Sequence, residues 1–174
     1  MAEESIIVGK LCNNQNILLV SSSKDHNQVL IDLHKAVSNK FKGILAILTH
    51  KSAATLASEF KKNNIDYSNY FFIDFVEEDN KPKRCFTISS LFALTELALK
   101  IEKIKKMYKT DLIILDNILS MLIYNNDVTV LRFLHDMMVK VRKKGGKAIY
   151  SILKEGNEKL IADISLFADE IVEI

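Results

Sequence analysis

Glycine and proline are scarce in this chain, with five glycines and one proline, Pro82, in 174 residues. That leaves little for chemistry that needs a glycine-rich loop, where backbone N–H groups must approach a ligand closely. Tryptophan is absent, and there are two cysteines, Cys12 and Cys85. They form no metal-spaced pair and imply no disulfide, so we expect reduced thiols and a cytoplasmic protein. No apolar run reaches the roughly 20 residues that a membrane helix needs. The opening "MAEESIIVGK" carries acids where a secretory leader would be basic. Net charge is +2, too near zero to imply a nucleic-acid partner by itself. The remainder is ordinary for a globular chain, with 48% apolar and 26% charged residues. The length suits one domain over 1–174, and no internal repeat or linker interrupts it.

Short apolar runs alternate with longer helical ones. "NILLVS" (Asn16 to Ser21), "GILAILT" (Gly43 to Thr49), "YFFIDFV" (Tyr70 to Val76), "DLIILD" (Asp111 to Asp116) and "AIYSIL" (Ala148 to Leu153) read as strands. Several are apolar on both faces, as in a parallel sheet covered by helices. "CFTI" reads as a short strand after the polar loop "EEDNKPKR", and "EIVEI" closes the chain. Between them, Val29, Leu30, Leu33 and Val37 recur at helical spacing, as do Leu56, Ala57 and Phe60. Leu94, Leu97, Ile101 and Ile104 mark a long helix, with Ser89 or Ser90 as its cap. Leu131, Leu134, Met138 and Val141 mark a helix near Asp127 to Lys143, and a last one is expected near Lys159 to Phe167. Such alternation predicts a three-layer, open, mostly parallel α/β sheet with helices on both faces. Any ligand should then sit at the carboxyl ends of the strands.

The stretch "LLVSSSKDHNQVL" lies between the first strand and its helix, and "DLIILDN" is an apolar strand ending in aspartate. "NILSMLIYNNDVTVLRFLHDMMVKVRKKGGKAIYSIL" and "LFADEIVEI" complete the order. This arrangement resembles the RecA-like P-loop ATPases, and among them the KaiC-like branch common in archaea. The resemblance implies a RecA-like fold. It puts Asp116 at the Walker B aspartate and Ser22 to Val29 at the Walker A turn. Ser22, Asp25 and Asn27 then stand for its three glycines, Gln28 for its lysine and Val29 for its metal-binding hydroxyl. His50 and Lys51 stand where the family carries its water-activating glutamate.

A P-loop without glycines loses its cradle of N–H groups, and without lysine it loses the charge that stabilises phosphoryl transfer. We therefore expect a catalytically inactive domain with no cofactor and no metal. Its expected role is a regulatory or protein-interaction module. The partner would be a second copy, giving a homodimer, or a related active ATPase. The alternative is a non-hydrolysing sensor of nucleotides or small anions in the strand-end cleft. An enzyme of another class, built around His50, Asp116 or Ser23, shows no triad spacing in the sequence.

Ser22, Ser23, Lys24 and Asp116 are the candidate ligand-binding residues, because a helix N-terminus favours anions. Ser21 to Ser23 otherwise read as a turn whose hydroxyls satisfy the backbone. Asp116 otherwise reads as a cap for a helix starting near Ile118, shared with Asn117. His26, His34, His50 and His135 read as scattered surface or boundary residues. "KIEKIKKMYK" and "KVRKKGGK" read as solvated helix ends. Nucleic-acid binding would require both runs on one surface, and we do not expect it.

Overall fold

The computed structural model describes residues 2–174. Seven strands among them form one sheet: β1 (Asn16–Ser21), β2 (Ile44–Leu48), β3 (Tyr70–Asp74), β4 (Cys85–Thr87), β5 (Leu112–Asp116), β6 (Lys147–Leu153) and β7 (Glu170–Glu173). Their order is β4-β3-β2-β5-β6-β1-β7, and every pairing is parallel. β6 therefore separates β1 from β5.

The helices are α1 (Ala2–Asn13), α2 (His26–Ser38), α3 (Ala53–Lys62), α4 (Leu94–Met107), α5 (Ile118–Leu122), α6 (Asp127–Lys143) and α7 (Glu158–Ser165). None of the described helices is long and apolar enough to cross a membrane.

Alternation along the strands divides the core in two. Leu18, Val20, Ile47, Leu115 and Tyr150 face one side, against Leu97 of α4 and Leu134 of α6. Ile17, Leu19, Ala46, Ile114 and Ile149 face the other, against Ile7 of α1, Leu33 of α2 and Phe60 of α3. Both sets are apolar because both faces are covered. Each large side chain so buried contributes about 1.5–3 kcal/mol relative to exposure.

Gly43 is required where β2 begins. A Cβ there would lie 2.0 Å from the Lys109 carbonyl oxygen. The Gly43 carbonyl accepts from the Asp111 N–H at 2.8 Å, which aligns the starts of β2 and β5.

The structure differs from the expected elements in three places. α1 was not anticipated; Ile7 and Leu11, one turn apart, bury it against the sheet and α2. The cap of α4 is Ala93, without a side-chain bond. Ser90 instead accepts from the Phe92 N–H at 3.1 Å, and Ser89 donates to Glu96 at 2.6 Å. α7 starts and ends before the expected Lys159 to Phe167.

Candidate functional site

The carboxyl ends of β1, β6 and β5 bring Ser21, Ser151 and Asp116 together. Asp116 is buried, at 2% exposure. Its Oδ1 accepts from the Ser151 hydroxyl at 3.0 Å and lies 3.2 Å from His26 Nε2. His26 Nδ1 lies 2.7 Å from Ser21 Oγ. Nε2–H donates to Asp116 in either protonation state; Nδ1 accepts from the Ser21 hydroxyl when the ring is neutral and donates to Ser21 Oγ when it is protonated. His50 Nδ1 lies 3.6 Å from Asp116 Oδ2. Burial would raise the Asp116 pKa. The His26 hydrogen bond, the charges of His50 and His26, and the Ser151 hydroxyl outweigh burial and hold the carboxyl below its ordinary range.

β2 fixes the strand end from the other side. The Thr49 N–H donates to the Asp116 carbonyl at 2.8 Å. Thr49 Oγ1 donates to the Asn117 carbonyl and accepts from the Asn117 N–H, both at 2.7 Å. The Asp116–Asn117 peptide bond is cis. The Asn117 side chain caps α5 by accepting from the Ser120 N–H at 3.1 Å. The shared cap expected of Asp116 thus falls to Asn117, because the Asp116 carboxylate turns inward to His26 and Ser151.

The turn between β1 and α2 is closed by groups of the chain itself. Ser22 Oγ donates to Asp25 Oδ2 at 2.8 Å and accepts from the Asp25 N–H at 3.2 Å. The Ser23 N–H donates to both carboxylate oxygens of Glu155, at 2.9 and 3.0 Å. That bond lowers the pKa of the exposed Glu155 carboxyl. Lys51 donates to Asn27 Oδ1 at 2.8 Å and pairs with Glu59 at 3.1 Å, which ties the starts of α2 and α3. Lys24 is exposed.

Of the four residues chosen from sequence, Asp116 is the centre of a buried cluster. Ser22, Ser23 and Lys24 form its rim and do not touch Asp116. Ser21, His26, Ser151 and Glu155 were missed. His26 and His34 are buried, contrary to the surface reading, because α2 lays both onto the sheet. His34 meets the Tyr70 hydroxyl at 3.2 Å and the edge of Phe60. Burial lowers its pKa to about 4. The one sequence signal for the cluster was a hydroxyl residue, Ser21 or Ser151, inside a strand apolar on both faces.

Ser21, His26 and Asp116 form a hydrogen-bonded chain of the residue types found in hydrolytic triads. Ser21 is 1% exposed, so its oxygen is not presented to a substrate as a nucleophile must be. Among the described residues no group of three His, Cys, Asp or Glu side chains is arranged to hold a metal ion.

The open parallel sheet with helices on both faces and a polar cluster at its strand ends places the chain in the doubly wound α/β class. Among solved structures the chain is similar to a KaiC-like protein from the hyperthermophilic archaeon Pyrococcus horikoshii OT3. The TM-score is 0.69 and the identity 12%, covering 91% of this chain and 70% of that one. At that identity the likeness shows the fold. No protein-family model and no curated protein matches the chain.

Proposed function

We propose that this chain is a RecA/KaiC-like domain that does not hydrolyse ATP and acts by binding a protein, as a regulatory module of the cytoplasm. One observation carries the reading: the turn corresponding to a Walker A loop is filled by the chain's own groups. Ser22 is held by Asp25, the Ser23 N–H by Glu155, and the His26 ring spans the gap between Ser21 and Asp116. A triphosphate would have to displace two carboxylates, and would meet Gln28 and Val29 in place of the loop's lysine and metal-binding hydroxyl. This makes the turn a degenerate Walker A, and Asp116 a structural anchor in place of a magnesium contact.

The test is steady-state hydrolysis of Mg-ATP and Mg-GTP, with unfolding temperature measured in parallel. We expect no turnover above buffer and no nucleotide-dependent stabilisation, which saturable binding would produce by mass action. Turnover abolished by Asp116→Ala would overturn the proposal.

Exposed apolar side chains support a protein partner. Phe92, Ile123 and Val128 are 63%, 75% and 64% exposed around the α5–α6 turn, and Phe92 stacks edge-on with Tyr124. Single exposed apolar residues are common, and the touching pair Phe92–Tyr124 is the part of this group that suits a contact surface. The partner is a second copy of the chain or a related active ATPase. Sedimentation of the chain alone, and mixed with a KaiC-like ATPase, would detect it, and Phe92→Ser with Ile123→Ser should abolish the complex.

A second reading, a sensor of small anions, is favoured by one contact. The Ser23 N–H already holds a carboxylate, so this helix start accepts negative charge.

A further inference from the structure

The two lysine-rich runs, expected to be separate solvated helix ends, meet at the amino-terminal end of the sheet, opposite Asp116. There the end of α4, the start of β5 and the α6–β6 turn enclose a cavity of about 480 Å³. Its walls carry four lysines, Lys105, Lys106, Lys144 and Lys147, against one carboxylate, Asp111. Lys147 donates to the carbonyls of Leu11 and Asn14, and Asp111 accepts from the Lys42 N–H at 3.2 Å.

Lys105 is the unusual member. It is half-buried, and none of the ion pairs among the described residues uses it. Its ammonium packs on bare backbone, for a Cβ at Gly146 would lie 3.2 Å from Lys105 Nζ. Burial first, and the charge of Lys144 second, lower its pKa. A second group on the same wall also lacks a partner: Thr110 Oγ1 is buried and makes no hydrogen bond among the described residues. A buried hydroxyl and a half-buried cation, both without partners and on one cavity, are costly unless something binds them. An anion would satisfy both.

A second cavity, of about 270 Å³, runs between α4 and α6 and shares Lys105 and Lys144 with the first. Its floor is apolar, formed by Leu94, Ala98, Ile101, Phe133 and Met137. Glu102, Arg132, Asp136 and Lys140 also line it, with Lys140 paired to Glu102 at 2.6 Å; Lys105 and Lys144, where the two cavities meet, set a basic end beside the apolar floor, the complement of an acidic amphiphile.

We propose that Lys105, Lys144 and Thr110 bind the acidic head of a single-chain amphiphile whose hydrocarbon lies in the groove between α4 and α6. Nucleic acid fits less well, because the groove carries one aromatic ring, Phe133, where successive bases would need several to stack on. This site is independent of the strand-end cluster, so its failure leaves the preceding proposal standing.

The experiment is calorimetric titration of the full chain with decyl phosphate below its micelle concentration. Inorganic phosphate and a single-stranded oligonucleotide form separate arms. We expect one-to-one binding of decyl phosphate, at least about tenfold tighter than inorganic phosphate. Lys105→Gln should weaken it about tenfold or more, as loss of a charge-assisted contact does. Ala98→Phe, which fills the groove, should remove the preference for decyl phosphate while leaving phosphate binding unchanged. If Lys105→Gln unfolds, the near-isosteric Thr110→Val should still weaken binding and carries the test. Equal affinity for phosphate and decyl phosphate would overturn the proposal. So would oligonucleotide binding with none of decyl phosphate, unchanged affinity in both head-group variants, or no binding at all.

Discussion

Removing the Asp116 carboxylate tests the strand-end cluster most directly. Asp116→Ala deletes the acceptor for the Ser151 hydroxyl at 3.0 Å and for His26 Nε2 at 3.2 Å. Each buried donor left without a partner costs about 1–3 kcal/mol. The carboxylate's own desolvation is relieved, so the net loss should be about 2–4 kcal/mol, a large part of a typical domain's stability. Asp116→Asn keeps one acceptor oxygen and should lose about half as much. Urea unfolding at pH 7 with an unchanged slope reads the difference. A double-mutant cycle with His26→Ala should give a coupling of about 1–3 kcal/mol. The pH dependence has a defined sign. The folded carboxyl titrates below its unfolded value of about 3.9, so its contribution is complete above that pH and is lost as pH falls through the folded value. The gap between wild type and Asp116→Asn should narrow below about pH 4. Stability of Asp116→Ala within about 0.5 kcal/mol of wild type, or strict additivity in the cycle, would refute the view that this cluster is a structural anchor.

His34 should make the protein acid-sensitive over a higher range. Its folded pKa of about 4 lies below the unfolded value of 6.5, so stability present above pH 6.5 falls by about 2–3 kcal/mol on the way to pH 4; His34→Gln should remove that slope in acid unfolding. Gly43→Ala places a methyl group 2.0 Å from a backbone oxygen and should destabilise by about 1–3 kcal/mol or more in chemical denaturation. Glu155→Ala frees the Ser23 N–H on the surface; stability should change by no more than about 0.5 kcal/mol. Sulfate should then protect this variant against heat more than wild type, and equal protection would sink the anion-sensor reading.

Much of the sheet was legible because strands buried on both faces cannot hide their composition. β1, β2, β3, β5 and β6 all read as continuous apolar runs, and α4 showed its buried residues, Leu94, Leu97, Ile101 and Ile104, at helical spacing. Asp116 was legible because an aspartate that ends such a strand breaks the pattern. Its companions were not. His26 sits in the polar run "SSSKDHNQ", and only contact with a residue 90 positions away makes it buried. Glu155 is one acid in a turn, and nothing local joins it to Ser23. The meeting of the two lysine runs was equally hidden, since adjacency of α4 and α6 is decided by packing over one sheet face. α1 escaped notice because Ile7 and Leu11 are only two anchors, too few to show a period.

The position of β6 has a consequence for synthesis on the ribosome. β1 hydrogen-bonds to β6 and β7 alone, and those strands come from the last third of the chain. A nascent chain lacking residues beyond 146 can pair β2 with β3 and β5, but its first strand must wait with both edges bare. Of these seven strands the first made is the last to be docked, and the Ser21–His26–Asp116 chain cannot close until Ser151 has arrived between its ends. Truncation after residue 146, which removes both β6 and β7, should therefore release the amino-terminal 40 to protease while β2, β3 and β5 stay protected.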